Sequence, residues 1–400
     1  MPTFDALYTE FENTKDVCGF CEKYSDDNVA TRFLLIRSLD KPNLVDIIKQ
    51  YSDATPEGNV RNLTKIVYQS TATIDQLLAY IEGHRAALIE QRQAELEGLP
   101  EVLSSFPIVN CGVRNDKVDD IVKAFVRNKN LKSYEDLAAE LDDSVLPKIR
   151  QYSLWSYYNQ TSNDIIELFF LQHPSVIPTL RKIHDIDFFL KVEDEIIPFD
   201  LKFTHISEAY FDLVSQGVQK ALAGPDDFSV AGDQESELKT MRRHYSAFRK
   251  SHPHLGLETA SKLAKADIIT VLNENGSQED QTFVIEMQTK HKDYVPETSD
   301  DLHILEWWNY KYQGERLFCN NNRLFVFLAY YQRFVDGREL KGKTEEIGVK
   351  IKSMLDSLTL EHIHDIHYHY DKEASLERDY HAKSGAVKIY AQNYLQAPAE

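Results

Sequence analysis

The sequence has few cysteines and no long apolar run, and each shortage excludes a class of protein. Its four cysteines, at positions 18, 21, 111 and 319, are too few and too scattered for a disulfide framework in a chain of 400 residues. No segment reaches the roughly 18 consecutive apolar residues of a membrane helix, and the first residues lack a signal-peptide pattern. We therefore expect a cytoplasmic protein with reduced thiols and no membrane partner.

Positive charge is also scarce, because 45 Lys and Arg residues face 64 Asp and Glu residues and the net charge is -19. A protein that coats nucleic acid needs the opposite balance, since Lys and Arg neutralise phosphates. The sequence also lacks a glycine-rich phosphate loop of the Walker type, which argues against ATP-driven translocation.

One stretch departs from this acidic balance. Residues 239–252 contain five Lys or Arg and two interleaved aromatic residues, without any Asp or Glu. Such a stretch either binds phosphates or forms a solvated helix face. We favour nucleic acid, and the candidate DNA-binding residues are Lys239, Arg242, Arg243, Arg249 and Lys250.

Two strand-like runs, 185–190 and 196–204, are separated by a short polar stretch and predict a hairpin. Alternation along the second run places Phe199 and Leu201 on an apolar face, with Asp200 and Lys202 on the other face. Asp187 lies on the first run. Two carboxylates beside a lysine suit a divalent cation and a water molecule, because Mg²⁺ takes oxygen ligands and keeps several waters.

At these residues the chain resembles the PD-(D/E)xK nuclease superfamily, whose motif is an acid followed, after a gap, by Asp/Glu-x-Lys on the next strand. Here the motif reads Asp187 and then Asp200-Leu201-Lys202. Glu167 matches the family's helix-borne acid. It lies in the apolar run 161–171, which we expect to be a helix capped by Thr161 and its polar neighbours.

Two aspartates, Asp185 and Asp187, are candidates for the first acid of the motif. No proline precedes Asp187, and Asp185 lies two residues before it. We favour Asp187 because Ile186 and Phe188 flank it, as apolar residues usually flank the family's metal-binding acid.

The resemblance implies an α/β fold for residues 146–395, with a PD-(D/E)xK (restriction endonuclease-like) core built on a mixed sheet flanked by helices. It implies Mg²⁺, with Mn²⁺ as an alternative, bound by Asp187, Asp200 and Glu167, and a water positioned by Lys202. The activity implied is hydrolysis of double-stranded DNA by a type II restriction endonuclease acting as a homodimer. A repair or phage-defence nuclease, or an inactive DNA-binding or protein-interaction module, stays open as an alternative.

We expect residues 1–145 to form a mainly helical N-terminal domain that recognises DNA or dimerises. A long amphipathic helix is expected over 74–97, and shorter helices are expected over 116–125 and 134–141, with Ser133 at the start of the last. The two shorter helices could form a helix-turn-helix.

The remaining candidates are weaker. If 267–272 and 282–288 are strands, Asp267, Glu286, Gln288 and Lys290 form a second metal-like group, but its Asp-x-Lys pair is not intact. A helix is expected over 255–264, and a central strand over 324–328.

Two groups of possible metal ligands also fall short of a site. Cys18-Gly-Phe-Cys21 is half of a zinc site with no second half nearby. The histidine-rich run 362–369 reads as an edge strand whose alternation splits any ligand set between two faces.

Overall fold

The computed structural model describes residues 2–14, 16–106, 115–220, 225–232, 234–312 and 321–391. Cys111 and Cys319 lie outside these residues, as do the last residues of the predicted 146–395 domain. Among the described helices, none combines the length and the apolar character needed to cross a membrane.

The centre of the molecule is a mixed β-sheet. The strands are β1 Val176–Ile183, β2 Ile186–Val192, β3 Glu195–His205, β4 Val218–Lys220, β5 Phe228–Val230, β6 Arg323–Tyr330, β7 His364–Tyr370 and β8 Arg378–Ala391. Six of them form one sheet in the order β1-β2-β3-β6-β8-β7, and β4 pairs with β5 separately. The central strands β3, β6 and β8 are parallel, whereas the outer pairs are antiparallel. The predicted α/β class with a mixed sheet is confirmed.

Helices make up most of the rest of the described chain. In the N-terminal part they are α1 Phe4–Thr14, α2 Val17–Lys23, α3 Val29–Arg37, α4 Lys41–Tyr51, α5 Val60–Gln69, α6 Ile74–Glu95, α7 Leu99–Ser104, α8 Asn115–Arg127 and α9 Tyr134–Glu140. Thereafter they are α10 Leu146–Leu171, α11 Glu208–Ser215, α12 Glu237–Ser251, α13 Lys265–Asn275, α14 Gln278–Asp293, α15 Ser299–Lys311 and α16 Thr344–Asp356.

The sheet is buried between helices on both faces. All eight residues of β6 are buried, as expected of a central parallel strand. On one face, Phe199 and Leu201 pack with α10 and α16, through residues such as Phe170 and Ile351. On the other face, Phe325 and Phe327 pack with α11 and α15. The predicted apolar face of the 196–204 run is therefore confirmed.

The N-terminal helices share a hydrophobic core with the edge of this sheet. Phe33 and Leu77 belong to the same cluster as Ile177 and Phe189 of β1 and β2. A π-helical turn, Leu141–Val145, connects α9 to α10, so the chain is helical across the predicted boundary at 145/146. The division into two domains stays a prediction.

Most of the predicted elements are confirmed. The long helix is α6, the two shorter ones are α8 and α9, and the Ser133 side chain accepts a hydrogen bond from the Asp136 amide as a cap. The hairpin is β2 and β3, and the histidine-rich run forms the edge strand β7.

The predicted strands 267–272 and 282–288 are wrong, because both segments are helical, in α13 and α14. Periodicity does not distinguish a strand from a helix in a short apolar run, and here capping side chains favour the helix. Asp267 accepts a hydrogen bond from the Ala264 amide at 3.1 Å, and Asp280 accepts one from the Ser277 amide at 2.8 Å. These bonds satisfy amides that a helix start leaves unpaired.

Two helix assignments also need correction. Residues 255–264 contain only the short 3₁₀ turns Pro253–Leu255 and Ala260–Lys262. The run 161–171 is helical, but Thr161 lies inside α10 rather than at its start. The neighbouring Ser162 hydroxyl donates to the Asn159 carbonyl at 3.0 Å, within the helix, so this polar group does not cap it.

A buried arginine ties the N-terminal helices to the sheet. Arg85 of α6 donates to the carbonyls of Leu171 and His173 at 2.8 and 3.0 Å, and to that of Val176 at 2.5 Å. It thereby supplies hydrogen-bond donors to carbonyl oxygens at the end of α10 and the start of β1, which are shielded from water.

We expect Arg85→Ala to lower the free energy of unfolding by about 2 to 4 kcal/mol, because it leaves buried carbonyls without a donor. Urea denaturation followed by circular dichroism measures the change. Arg61→Ala is the control, since its ion pair with Asp5 is about half exposed and should cost less than about 1 kcal/mol. Equal losses in the two variants would contradict this role for Arg85.

Candidate active site

The first feature of the site is a separation between β2 and β3. Their pairing runs from Val192 opposite Glu195 to Phe188 opposite Phe199. Asp187 is the next residue, and its Oδ2 accepts a hydrogen bond from the Leu201 amide at 2.8 Å. A side-chain carboxylate therefore takes the place that a backbone carbonyl would have in a continued ladder.

Asp200 lies on β3 directly before Leu201, whose amide bonds to Asp187. Two cations contact the Asp200 carboxylate. Asp200 is 8% exposed. Lys202 Nζ lies 2.9 Å from Oδ2, and Arg323 Nε lies 3.5 Å from the same oxygen. Strand alternation puts Lys202 on the face of Asp200, and the parallel register of β3 with β6 places Arg323 opposite Asp200.

Arg323 is a residue of the site that the sequence reasoning did not assign. It is 1% exposed, and its guanidinium lies 5.0 Å from the centre of the Tyr310 ring. A cation at the start of a fully apolar strand was the available signal, because a buried arginine needs an anionic partner.

Glu167 of α10 lies close enough to Asp187 to be affected by its charge. The two acids line a cavity of about 440 Å³ together with Arg92 and Lys182. Arg92 Nη2 is 3.9 Å from Glu167 Oε1. Burial raises the pKa of Glu167, and the charge of Asp187 raises it further. Burial also raises the pKa of Asp187, although the Leu201 amide opposes that shift.

Asp185 lies in the turn before β2, with a positive φ of 65°, and bonds to the ring of His184. Burial raises the pKa of Asp185, and Asp200 is near enough to contribute in the same direction. Both Asp185 and Asp187 therefore interact electrostatically with Asp200. Only Asp187 also lines the cavity with Glu167, which favours it as the first acid of the motif.

Asp187 interacts electrostatically with Asp200 and Lys202 and lines a cavity with Glu167, so the structure brings the four predicted residues into one region. Among the described residues, one group of three potential ligands has all its ligand atoms within 4.8 Å, and it is Cys18, Glu22 and His381. The predicted set of Asp187, Asp200 and Glu167 is not drawn together in that way. Two carboxylates still suit Mg²⁺, which needs only one or two and completes its shell with water.

The second metal-like group is not assembled. Asp267 caps α13, whereas Glu286 is an exposed residue in the middle of α14. We expected these two acids to lie on neighbouring strands. This prediction was wrong, because both segments are helical.

The five predicted DNA-binding residues all lie on α12, which packs on α13 and α14 through Met241, Tyr245 and Phe248. Three are engaged locally: Arg242 donates to the Leu263 carbonyl, Arg249 donates to the Leu257 carbonyl and Arg243 pairs with Glu235. Lys239 and Lys250 are exposed. None of these five described residues lines the cavity around Glu167 and Asp187.

The raised pKa values make a prediction about stability. The folded protein holds the protons of Glu167 and Asp187 more tightly than the unfolded chain does. Stability is therefore lost as the pH rises above the ordinary pKa values of these groups, and the loss is complete above their folded pKa values. We expect Glu167→Gln and Asp187→Asn to raise the melting temperature at neutral pH. The gain should shrink as the pH falls toward the ordinary values of 4.5 and 3.8.

Differential scanning calorimetry across this pH range measures the effect. Glu90→Gln is the matched control, because Glu90 is exposed on α6 and its carboxylate keeps its hydration. A gain of the same size and pH dependence in the control, or a loss at neutral pH in both site variants, would contradict the proposed cost of burial.

Comparison of the chain with protein-family models, with curated proteins and with solved structures gives no match. We therefore infer function from the geometry and chemistry of the residues themselves.

Proposed function

We propose that the protein is a Mg²⁺-dependent endonuclease that hydrolyses DNA phosphodiester bonds, as type II restriction endonucleases do. The observation that carries the proposal is the arrangement of Asp187, Asp200 and Lys202 where β2 and β3 separate. The order of elements also supports it: a helix with an acid, α10, precedes the hairpin, and helices then lead to β6, which is parallel to β3. A PD-(D/E)xK core is expected to have this order.

Asp187 and Asp200 are the proposed metal ligands, because each offers a hard carboxylate oxygen from a rigid strand. When bound, Mg²⁺ would acidify a coordinated water and offset the charge that develops on the phosphate. Glu167, across the cavity from Asp187, would assist by accepting a hydrogen bond from a bound water.

Lys202 is the proposed catalytic cation. Its side chain is 36% exposed, so it is the more accessible of the two cations on Asp200. Its ammonium group can donate to the attacking water and to the charged phosphate oxygens in the transition state. Asp200 orients this ammonium group at 2.9 Å.

Arg323 is a positioning residue in this scheme, since it contacts Asp200 from the buried side. Its planar guanidinium packs against the Tyr310 ring, which limits its movement. It therefore presents a positive charge to the Asp200 carboxylate at a fixed position. Lys202 approaches the same carboxylate from the accessible side, where we place the substrate phosphate.

DNA contact in the proposal combines near and distant cations. Arg92 and Lys182 line the cavity beside the acids, where they can neutralise a phosphate. Lys239 and Lys250 of α12 are exposed and remain proposed contacts. Cutting both strands of a duplex needs two such sites, and a symmetric homodimer supplies them.

The test is incubation of purified protein with unmethylated phage DNA, with Mg²⁺, with Mn²⁺ or with EDTA. We expect discrete fragments with either metal and none with EDTA. Asp200→Asn and Lys202→Ala should each slow cleavage by at least about 100-fold, because each removes a group that acts on the transition state. Lys191→Ala is the matched control, since Lys191 is an exposed lysine at the far end of β2.

The possible outcomes separate the alternatives. Discrete fragments that both site variants lose support a sequence-specific endonuclease at this site. A smear that both variants lose keeps the nuclease site and replaces the restriction function with a repair or defence function. Undiminished cleavage in both variants excludes the site. Metal-independent DNA binding without cleavage by the wild-type protein would favour a binding module and overturn the proposal.

A further inference from the structure

Three residues of different chemistry meet where the N-terminal helices contact β8. Cys18 and Glu22 are four residues apart on α2, so they face the same side of that helix. His381 lies on β8. The Cys18 sulfur is 3.9 Å from both Glu22 Oε1 and His381 Nδ1, and the latter two atoms are 2.8 Å apart.

The donor set suits zinc better than magnesium. A thiolate sulfur, an imidazole nitrogen and a carboxylate oxygen are the three ligand types that Zn²⁺ accepts in proteins, whereas Mg²⁺ takes oxygen. Ordinary zinc bond lengths in a tetrahedron put sulfur about 3.6 Å from the nitrogen and oxygen, and those two about 3.4 Å apart. The three atoms reach that geometry by shifts of a few tenths of an ångström.

The surroundings of His381 match those of a metal-binding histidine. Its Nε2 lies 3.3 Å from Asp365 Oδ1, and its ring stacks on that of His367 with the centres 4.3 Å apart. A carboxylate that accepts the Nε2 proton is usual for histidines bound to zinc. A metal ion at Nδ1 would displace the proton that this nitrogen donates to Glu22 Oε1 at 2.8 Å. Stacking on β7 limits rotation of the ring.

One side of the group opens into a cavity. Cys18, Cys21 and Glu22 line a space of about 500 Å³, which Asn322 and Lys383 also line. A cation held by three protein ligands would have its fourth position toward this space, where water fits. The Cys18 thiol itself is buried, and burial raises its pKa. Binding therefore has to displace the thiol proton, as zinc does when a cysteine coordinates it.

We propose that Cys18, Glu22 and His381 form a Zn²⁺ site that fastens α2 to β8. The site joins residues 363 positions apart in the sequence. Its ligands are distinct from Asp187 and Asp200, so it does not depend on the proposed nuclease activity. The stability gained by binding follows from preference for the folded state, since the unfolded chain does not bring the three ligands together.

The test uses full-length, tag-free protein that has been treated with a chelator and dialysed. Titration with Co²⁺ should give a thiolate-to-cobalt charge-transfer absorption that saturates at one equivalent and is displaced by Zn²⁺. Zn²⁺ should also raise the melting temperature. Glu22→Gln and His381→Asn should each weaken binding at least about tenfold, and Asp365→Asn should weaken it about 10- to 100-fold.

Cys18→Ser should abolish the charge-transfer band. Because Cys18 is buried, that variant can lose its fold, but the Glu22 side chain is 49% exposed and its substitution leaves the core intact. Cys21→Ser and Asp187→Asn are the controls, and both should keep the band. The proposal is overturned if the wild-type protein gives no band, if the folded Cys18→Ser variant keeps it, if Cys21→Ser removes it, or if Glu22→Gln and His381→Asn bind as tightly as the wild type.

Discussion

The burial of the Asp200 carboxylate in the middle of the sheet is the constraint around which the site is built. An isolated carboxylate in such a position costs several kcal/mol, so cations must be placed on it when the chain folds. Strand alternation brings Lys202, and the parallel pairing of β3 with β6 brings Arg323. The same pairing forms the centre of the sheet, since β6 is buried along its whole length. The pairing of β3 with β6 therefore both forms the centre of the sheet and supplies a cation to Asp200.

Asp187 and Glu167 are in the opposite situation, because nearby cations do not outweigh their burial. Both groups have a raised pKa, with desolvation as the leading cause. The charge of Asp187 adds to the shift of Glu167, and the charge of Asp200 adds to that of Asp187. Ion-pair networks that only stabilise a fold lower the pKa of their acids, as the hydrogen bonds and charges of His291 and Lys265 do for the buried Glu237. Carboxylates kept at a cost to stability are characteristic of sites that bind a cation or transfer a proton. This contrast supports the functional proposal, which depends on the arrangement of Asp187, Asp200 and Lys202.

The sequence predicts the centre of the fold well, because alternation and apolar runs report on strands buried on one or both faces. The hairpin of β2 and β3 and the central strand β6 follow from such patterns. It fails over 267–288, where short β-branched runs look like strands and only the Asp267 and Asp280 caps indicate helices. It also misses contacts between distant segments. Nothing near Cys18 in the sequence indicates that His381 will lie beside it. The sequence likewise shows that a buried Arg323 needs an acid, but only the pairing of β3 with β6 identifies that acid as Asp200.

Asn322 contacts both regions in which these distant segments meet. Its carbonyl accepts a hydrogen bond from the Asp200 amide at 2.9 Å, and its side chain accepts one from the Lys383 amide at 2.9 Å. The same residue lines the cavity into which Cys18 and Glu22 open. Both bonds use backbone amides inside the strands, Asp200 in β3 and Lys383 in β8, so one buried residue just before β6 binds the strands on both sides of it. Asn322 therefore fixes the backbone at Asp200 relative to β8, the strand that carries His381, and this connection depends on the parallel order of β3, β6 and β8.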